Sequence, residues 1–382
     1  MLAGKLTITT SLALCLSSAL PTPALAEPTA VAAPAASVSA ANLSATAPAT
    51  TTPAGVAPTQ TAADNPGRLS FVEENDYFAS YDDRHYTQGV RMAYLSGRAT
   101  TGGFWDQPFR LFNAITPFFG GTDSNRKYAL LVGQNIFTPE NTQDTAPNIT
   151  DRPYAAWLYT GVSLLQETPH ETHHTLENFE LLGGVVGRWA LGGVTQNDYH
   201  QFIGVKPALG WLNQLQNEPG AILTYERKWR FQQPLYGNLA VDIIPELGVS
   251  GGNILTYGQG GVMVRLGQNL GADYGPTHIR PGLSGTDWFD ATQLDGDFGW
   301  YIFAGTQGRA VARNIFLDGN SFVSSPHVSK KPLVADFMLG ATLFWSDAIR
   351  LDFSAIQRTK EFYGQNGHPD RFGGVNLTFR FW

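Results

Sequence analysis

Residues 373–382, Gly373-Gly374-Val375-Asn376-Leu377-Thr378-Phe379-Arg380-Phe381-Trp382, decide the fold. Val375, Leu377, Phe379 and Phe381 alternate with Asn376, Thr378 and Arg380. In a pleated strand that spacing puts the apolar side chains on one face and the polar ones on the other. The segment is longer than the five or six residues common in soluble strands, and about ten residues are what a tilted strand needs to cross a bilayer. A closing strand that ends on aromatics is a feature of barrels of the bacterial outer membrane. The alternation assigns the lipid face to Phe381 and not to Trp382.

The same period of two recurs along the chain. Val90, Met92 and Tyr94 alternate with Gly89, Arg91 and Ala93, and Leu333, Ala335, Phe337 and Leu339 alternate with Val334, Asp336 and Met338. Such segments fall at 68–76, 86–96, 127–136, 154–166, 177–187, 220–230, 237–248, 259–268, 298–306, 336–345, 348–357 and 373–382. Twelve is an even number, as single-chain bacterial barrels have. Composition agrees. Only 15% of the 382 residues are charged, against about 25% in soluble domains, with 41 glycines and 12% aromatics. A net charge of −7 argues against a nucleic-acid binder, and one cysteine excludes a disulfide framework or thiolate zinc site. The expected fold is all-β, a twelve-stranded antiparallel transmembrane β-barrel over 68–382.

The first residues read differently. Lys5 precedes an apolar stretch from Leu6 to Leu20, and Pro21, Pro23 and Ala24-Leu25-Ala26 follow. This predicts a signal peptide over 1–26, cleaved on export. Cys15 lies within it, and Leu14 before it does not suit a lipoprotein site. Residues 27–67 are almost all Ala, Thr, Pro and Ser and are expected to be a disordered tether. With both barrel termini periplasmic, the outer loops become 77–85, 137–153, 188–219, 249–258, 307–335 and 358–372. Two inner connections, 97–126 and 269–297, are long where short turns are the rule.

Polar clusters gather at the expected outer rim: Glu73-Glu74-Asn75-Asp76, Asp82-Asp83-Arg84-His85-Tyr86-Thr87, Asp151-Arg152-Pro153-Tyr154 and Gln196-Asn197-Asp198-Tyr199-His200. His200 is the leading candidate base, because imidazole titrates near neutral pH. A carboxylate such as Asp76 or Asp198 would orient it. A polar rim without chemistry is the competing reading. His170, His173 and His174 belong to an inner turn that reads as solvated surface. The chain has no G-x-S-x-G elbow, H-E-x-x-H helix or P-loop.

These residues also resemble a known family. Glu74-Asn75-Asp76-x-Phe78, Asp83-Arg84-x-Tyr86-Thr87-x-Gly89, Thr138-Pro139, Asp151-Arg152-Pro153-Tyr154-Ala155, Gln196-x3-His200 and Gly210-Trp211-x2-Gln214-Leu215-x2-Glu218-Pro219 are similar, in that order, to the outer-membrane lipid A deacylases. The resemblance spans about 68–382, with its specific motifs in the first half. It implies a twelve-stranded barrel with a calcium-dependent esterase site at the outer leaflet, acting on the 3′-linked acyloxyacyl ester of lipid A. Carried over, His200 activates water, Asn75 and Asp76 are paired site residues, and Thr87 and Gln196 line the same cleft. Asp76 is the metal-side carboxylate for calcium.

The chain departs from the family pattern twice. Glu140 to Thr150 holds no Lys or Arg where a characterised type has adjacent basic residues, and Lys206 stands where that type has a carboxylate. Arg84, Arg152 and Lys206 are the cations left to meet a lipid phosphate. Two other readings stay open: a non-catalytic barrel, whether porin or binding protein, and an outer-membrane phospholipase. No obligate protein partner is indicated.

Overall fold

The structure is a computed structural model that describes residues 66–79, 84–99, 102–115, 119, 124–279 and 287–381. The expected signal peptide, the tether up to Asn65, Asp82, Asp83 and Trp382 lie outside the described residues. The strands are Gly67–Asn75 (β1), His85–Leu95 (β2), Asn125–Thr138 (β3), Ala155–Pro169 (β4), His174–Val186 (β5) and Glu218–Tyr236 (β6). They continue with Leu239–Gly252 (β7), Leu255–Gly267 (β8), Phe298–Asn314 (β9), Leu333–Trp345 (β10), Ile349–Arg358 (β11) and Asp370–Phe381 (β12). Each is antiparallel to its chain neighbours, and β1 pairs with β12 from Gly67↔Phe381 to Asn75↔Gly373 to close the barrel.

Alternation produces the two faces as expected. Along β10, Asp336 and Met338 point inward and are buried, whereas Phe337 and Leu339 point outward and are exposed. Outward aromatics cluster at the end that carries the chain termini: Phe298 meets Trp345 edge-on at 6.0 Å, and Tyr94 meets Phe381 at 6.0 Å. This is the aromatic girdle of a lipid-facing wall. Phe381 faces out. Among the described residues no helix is long and apolar enough to cross a membrane.

The lumen is polar and largely ion-paired. Asp336 bonds both Arg309 (2.7 Å) and Arg358 (2.9 Å), and Arg265 is held by Asp242. Such pairs satisfy charges that would otherwise be costly to bury.

The two long inner connections have separate roles. The described residues between β8 and β9, 268–279 and 287–297, fold up into the barrel and bond to the inner faces of most strands. Arg68 of β1 lies over the Phe289 ring at 3.7 Å, Arg91 of β2 pairs with Asp287 at 2.7 Å, and Lys127 of β3 donates to the Phe289 carbonyl. Tyr274 donates to Glu167 of β4 at 3.0 Å, Arg230 of β6 donates to the Asp273 carbonyl at 2.9 Å, and Arg350 of β11 pairs with Asp273 at 2.9 Å. This segment is a plug.

The connection between β2 and β3 stays outside. It carries a helix, Asp106–Ile115 (α1), whose Phe112 stacks on outward-facing Phe179 at 4.3 Å while Phe109 stacks on Phe119 at 5.4 Å. Its other side exposes Leu111, beside exposed Phe104. An aromatic-rich amphipathic helix on the wall suits a membrane interface. Sequence spacing shows only that both connections are long. Two outer-loop expectations also change, because β9 runs to Asn314 and β7 turns into β8 through residues 253–254 alone.

Candidate functional site

The site begins with an anomaly on the outer wall. On β3, outward-facing Leu130 and Val132 are 46% and 48% exposed, as lipid-facing residues should be. Ile136 and Thr138, further along the same face, are 1% and 0% exposed. Something outside the barrel covers them. The cover is the connection between β5 and β6, which carries the helix Gly192–Ile203 (α2).

Ala190, Ala208 and Trp211 of that connection pack on Ile136, Tyr154 and Ala156 of the wall. Gln134 donates to the Ala190 carbonyl at 2.5 Å, and Leu215 N–H donates to the Tyr154 carbonyl at 3.0 Å. Close approach requires Gly192, where a Cβ would come 2.4 Å from the Ala156 Cβ and 2.7 Å from the Trp211 ring. The buried positions of α2 are Gly192, Gln196 and His200, a single stripe at four-residue spacing. That stripe presents both expected helix residues on the face packed against protein.

Each side chain has a defined holder. Trp211 Nε1 donates to Gln196 Oε1 at 2.8 Å. His200 Nδ1 lies 2.7 Å from the Lys206 carbonyl oxygen. A carbonyl can only accept, so the proton of neutral His200 sits on Nδ1 and the lone pair on Nε2. Gly204, at φ 75°, ends the helix in the left-handed region and folds the chain back so that the carbonyl arrives beneath the ring. Asp198 is exposed on another side of α2, and Asp76 Oδ2 accepts the Arg84 N–H at 2.7 Å.

The wall contributes the rest. Asn75, at the end of β1, caps a short 3-10 turn, Asp76–Phe78, its side chain accepting from Tyr77 N–H at 2.9 Å. Asn75 faces outward by the alternation of β1, yet is 4% exposed. On β2 a bulge falls between Tyr86, which opposes Phe137, and Gln88, which opposes Ile136. The extra residue is Thr87, which the bulge turns to the outer side, where its hydroxyl meets that of Thr138 at 2.7 Å. Tyr199 of α2 is half-buried. Burial pushes its phenol above the ordinary range, and the Glu73 carboxylate and Tyr77 phenol add to the shift. Gln196 and His200 therefore lie on a helix packed over β3 and β4, and β3 pairs with β2, whose Thr87 hydroxyl meets Thr138.

The three expected phosphate-binding cations separate. Arg152 is 1% exposed, pairs with Glu361 at 3.2 Å and lies over the Phe137 ring at 4.7 Å. Arg84 is buried, pairs with Glu140 at 3.0 Å and bonds His368 Nδ1 at 2.9 Å. Both guanidinium groups are tied to carboxylates at the rim. Lys206 alone has an exposed side chain. Asp151 completes the inner rim. It accepts from the N–H groups of Glu140 and Arg152, each at 2.7 Å, with His85 Nε2 at 3.5 Å. Burial pushes its carboxyl up, but His85 and the two N–H groups outweigh this and hold it below the usual value.

Sequence reasoning missed Thr138 as a site residue, Trp211 as the holder of Gln196 and Gln134 as a tether for the cover. Only the parity of β3 signals them, since Gln134, Ile136 and Thr138 share the face of Leu130 and Val132.

The oxygen donors near Asp76 fit a hard cation in kind. Asp76 offers a carboxylate, Asn75 an amide oxygen and Thr87 a hydroxyl, with no sulfur among them, and among the described residues no group of three or more His, Cys, Asp or Glu forms a metal cluster.

A comparison with curated proteins finds no match. Among solved structures, LpxR from Salmonella typhimurium superposes with a TM-score of 0.63 at 21% identity, covering 82% of this chain and all of that one. The β domain of the Bordetella autotransporter BrkA aligns over 83% of this chain and all of that one, with a TM-score of 0.41 at 7% identity. The model of the family described as "Outer membrane protein LpxR" matches residues 37–381. With nearly the whole barrel inside that match, the chain belongs to the LpxR outer-membrane protein family.

Proposed function

We propose that this protein is a lipid A 3′-O-deacylase of the outer membrane, hydrolysing the 3′-linked acyloxyacyl ester from the outer-leaflet side with water activated by His200. The observation that carries the reading is His200 itself: a histidine on the wall-packed stripe of α2, with Nδ1 on the Lys206 carbonyl. Family membership supports the substrate class. The occupied lumen counts against a conducting pore. Lys206, a departure from the family pattern, does not weaken the base, because its main chain and not its side chain bonds the ring.

In the proposed reaction Nε2 of His200 takes a proton from water as the oxygen adds to the ester carbonyl carbon. The tetrahedral adduct collapses with cleavage of the bond to the sugar oxygen. Nε2 then returns its proton to that leaving oxygen, giving a free fatty acid and a 3′-hydroxyl. The Lys206 carbonyl steadies the imidazolium throughout, and Gln196, locked by Trp211, keeps the helix face in place. Asp76, with Asn75 and Thr87 as neutral oxygen donors, would hold calcium, which when bound supplies Lewis-acid polarisation of the ester carbonyl.

The test uses purified protein in detergent micelles with lipid A, in calcium or in a calcium chelator, following released 3-hydroxyacyl and acyloxyacyl chains by mass spectrometry. Release that needs calcium is expected. No release from correctly folded protein in calcium contradicts the reading.

A further inference from the structure

Directly behind the wall that carries Asn75, Asp76 and Thr87, the lumenal plug meets one carboxylate. Glu74 precedes Asn75, points inward and is 1% exposed. Its Oε1 accepts the Ile279 N–H at 3.0 Å and lies 2.9 Å from His278 Nδ1. Its Oε2 accepts the Tyr86 hydroxyl at 2.8 Å. Tyr86 in turn precedes Thr87. A single buried group thus ties together the residue before Asn75-Asp76, the residue before Thr87, and the plug.

The surrounding wall is shaped for this contact. The two register partners of Glu74 are both glycines, Gly89 on β2 and Gly374 on β12. A Cβ at Gly89 would come 2.1 Å from the Tyr86 hydroxyl and 2.9 Å from Ile279 Cδ1. A Cβ at Gly374 would come 2.6 Å from Ser354 Oγ and only into ordinary contact with Glu74 Cγ and His278 Cε1, so the close approach of the plug falls at Gly89. Glycine in a strand interior marks a place where another chain segment comes close. Here that segment is residues 278–279. A buried carboxylate is costly unless its lone pairs are occupied, so losing a donor is felt by both strands.

We propose that two plug residues, His278 and Ile279, are a positioning element for the outer site, acting through Glu74 and Tyr86 to fix where Asn75, Asp76 and Thr87 stand. Neither plug residue faces the crevice, so their effect passes through the wall. The role in catalysis rests on the deacylase reading; the positioning of the wall does not. Displacements of about 1 Å from changes remote from the chemistry can cost as much as about a hundredfold in rate.

The experiment compares full-length protein, His278→Ala and His278→Asn in detergent micelles. Asparagine can place an amide N–H close to the position of Nδ1, whereas alanine cannot. Two quantities are read: kcat and KM for 3′-acyl release from lipid A, and amide hydrogen exchange at 75–78 and 86–88. The expected result for His278→Ala is a fall in kcat of about ten- to a hundredfold with KM within about twofold. Exchange in both segments should be faster, and His278→Asn should restore most of both losses. Unchanged kcat and exchange in His278→Ala overturn the proposal. So does an equal fall in both variants with loss of heat-modifiable migration, which marks a folding defect. If the wild-type protein releases no acyl chain, the deacylase reading fails, and exchange alone still judges the plug: faster and rescued by asparagine supports it, unchanged overturns it.

Discussion

His200 Nδ1 sits 2.7 Å from the main-chain carbonyl of Lys206, so backbone orients the imidazole. The side chain at 206 is then dispensable. Lys206→Ala and Lys206→Glu are expected to keep kcat within about threefold of wild type, whereas His200→Ala should lose at least about a hundredfold, the usual worth of a general base. Steady-state acyl release by the three variants checks this. A loss in Lys206→Ala matching that in His200→Ala contradicts it.

Arg152 should matter for stability and not for substrate affinity. Its guanidinium is buried against Glu361 and Phe137, and removing one partner of a buried pair costs about 3–5 kcal/mol. Arg358, 3.9 Å from Glu361, offsets part of that. Arg152→Ala is expected to lose about 3 kcal/mol in denaturant unfolding while KM for lipid A stays unchanged. A raised KM at unchanged stability would make it a ligand cation after all.

Asp151 gives the rim a pH dependence of known sign. Its carboxyl is held below its usual value when folded, so its contribution is present above the unfolded value, about pH 4, and is lost as pH falls through the folded one. Asp151→Asn should therefore be less stable than wild type at pH 7, by about 1–2 kcal/mol for a charge-assisted set of hydrogen bonds. The gap should narrow as pH falls to 3. Thermal unfolding of both proteins at the two pH values reads this out, and an equal gap at both would show that the charge is not what matters.

Calcium binding is expected to be weak. One carboxylate among neutral oxygens resembles the low-charge sites whose Kd lies at about 10⁻⁴–10⁻³ M. Isothermal titration should place the wild-type Kd in that range, and Asp76→Asn should weaken it by at least about tenfold. Micromolar binding, or binding unaffected by Asp76→Asn, would put the ion elsewhere.

The barrel was legible because two solvents impose period two on every strand. Asp336 and Phe337 differ in polarity for the same reason that they differ in direction. The plug and α1 carry no such period, because Trp288, Phe289, Phe109 and Phe112 each pack against surfaces assembled from distant strands. The rim was legible only as a cluster. Which side of the wall a residue takes depends on parity at a strand end, and the bulge that turns Thr87 outward cannot be read from spacing. Hence the spacing does not show that Arg84 and Arg152, expected to meet a lipid phosphate, pair with Glu140 and Glu361. Lys206 looked like a lost carboxylate, since sequence shows side chains and the bond it makes is through the main chain.

The most direct test of the central claim is the lipid A mass spectrum of a host that makes intact lipid A, expressing either this chain or its His200→Ala variant at equal levels of folded barrel. The account predicts lipid A lacking the 3′-acyloxyacyl group with the wild-type chain and unmodified lipid A with the variant. Unmodified lipid A in both, or the same deacylated species in both, would contradict it.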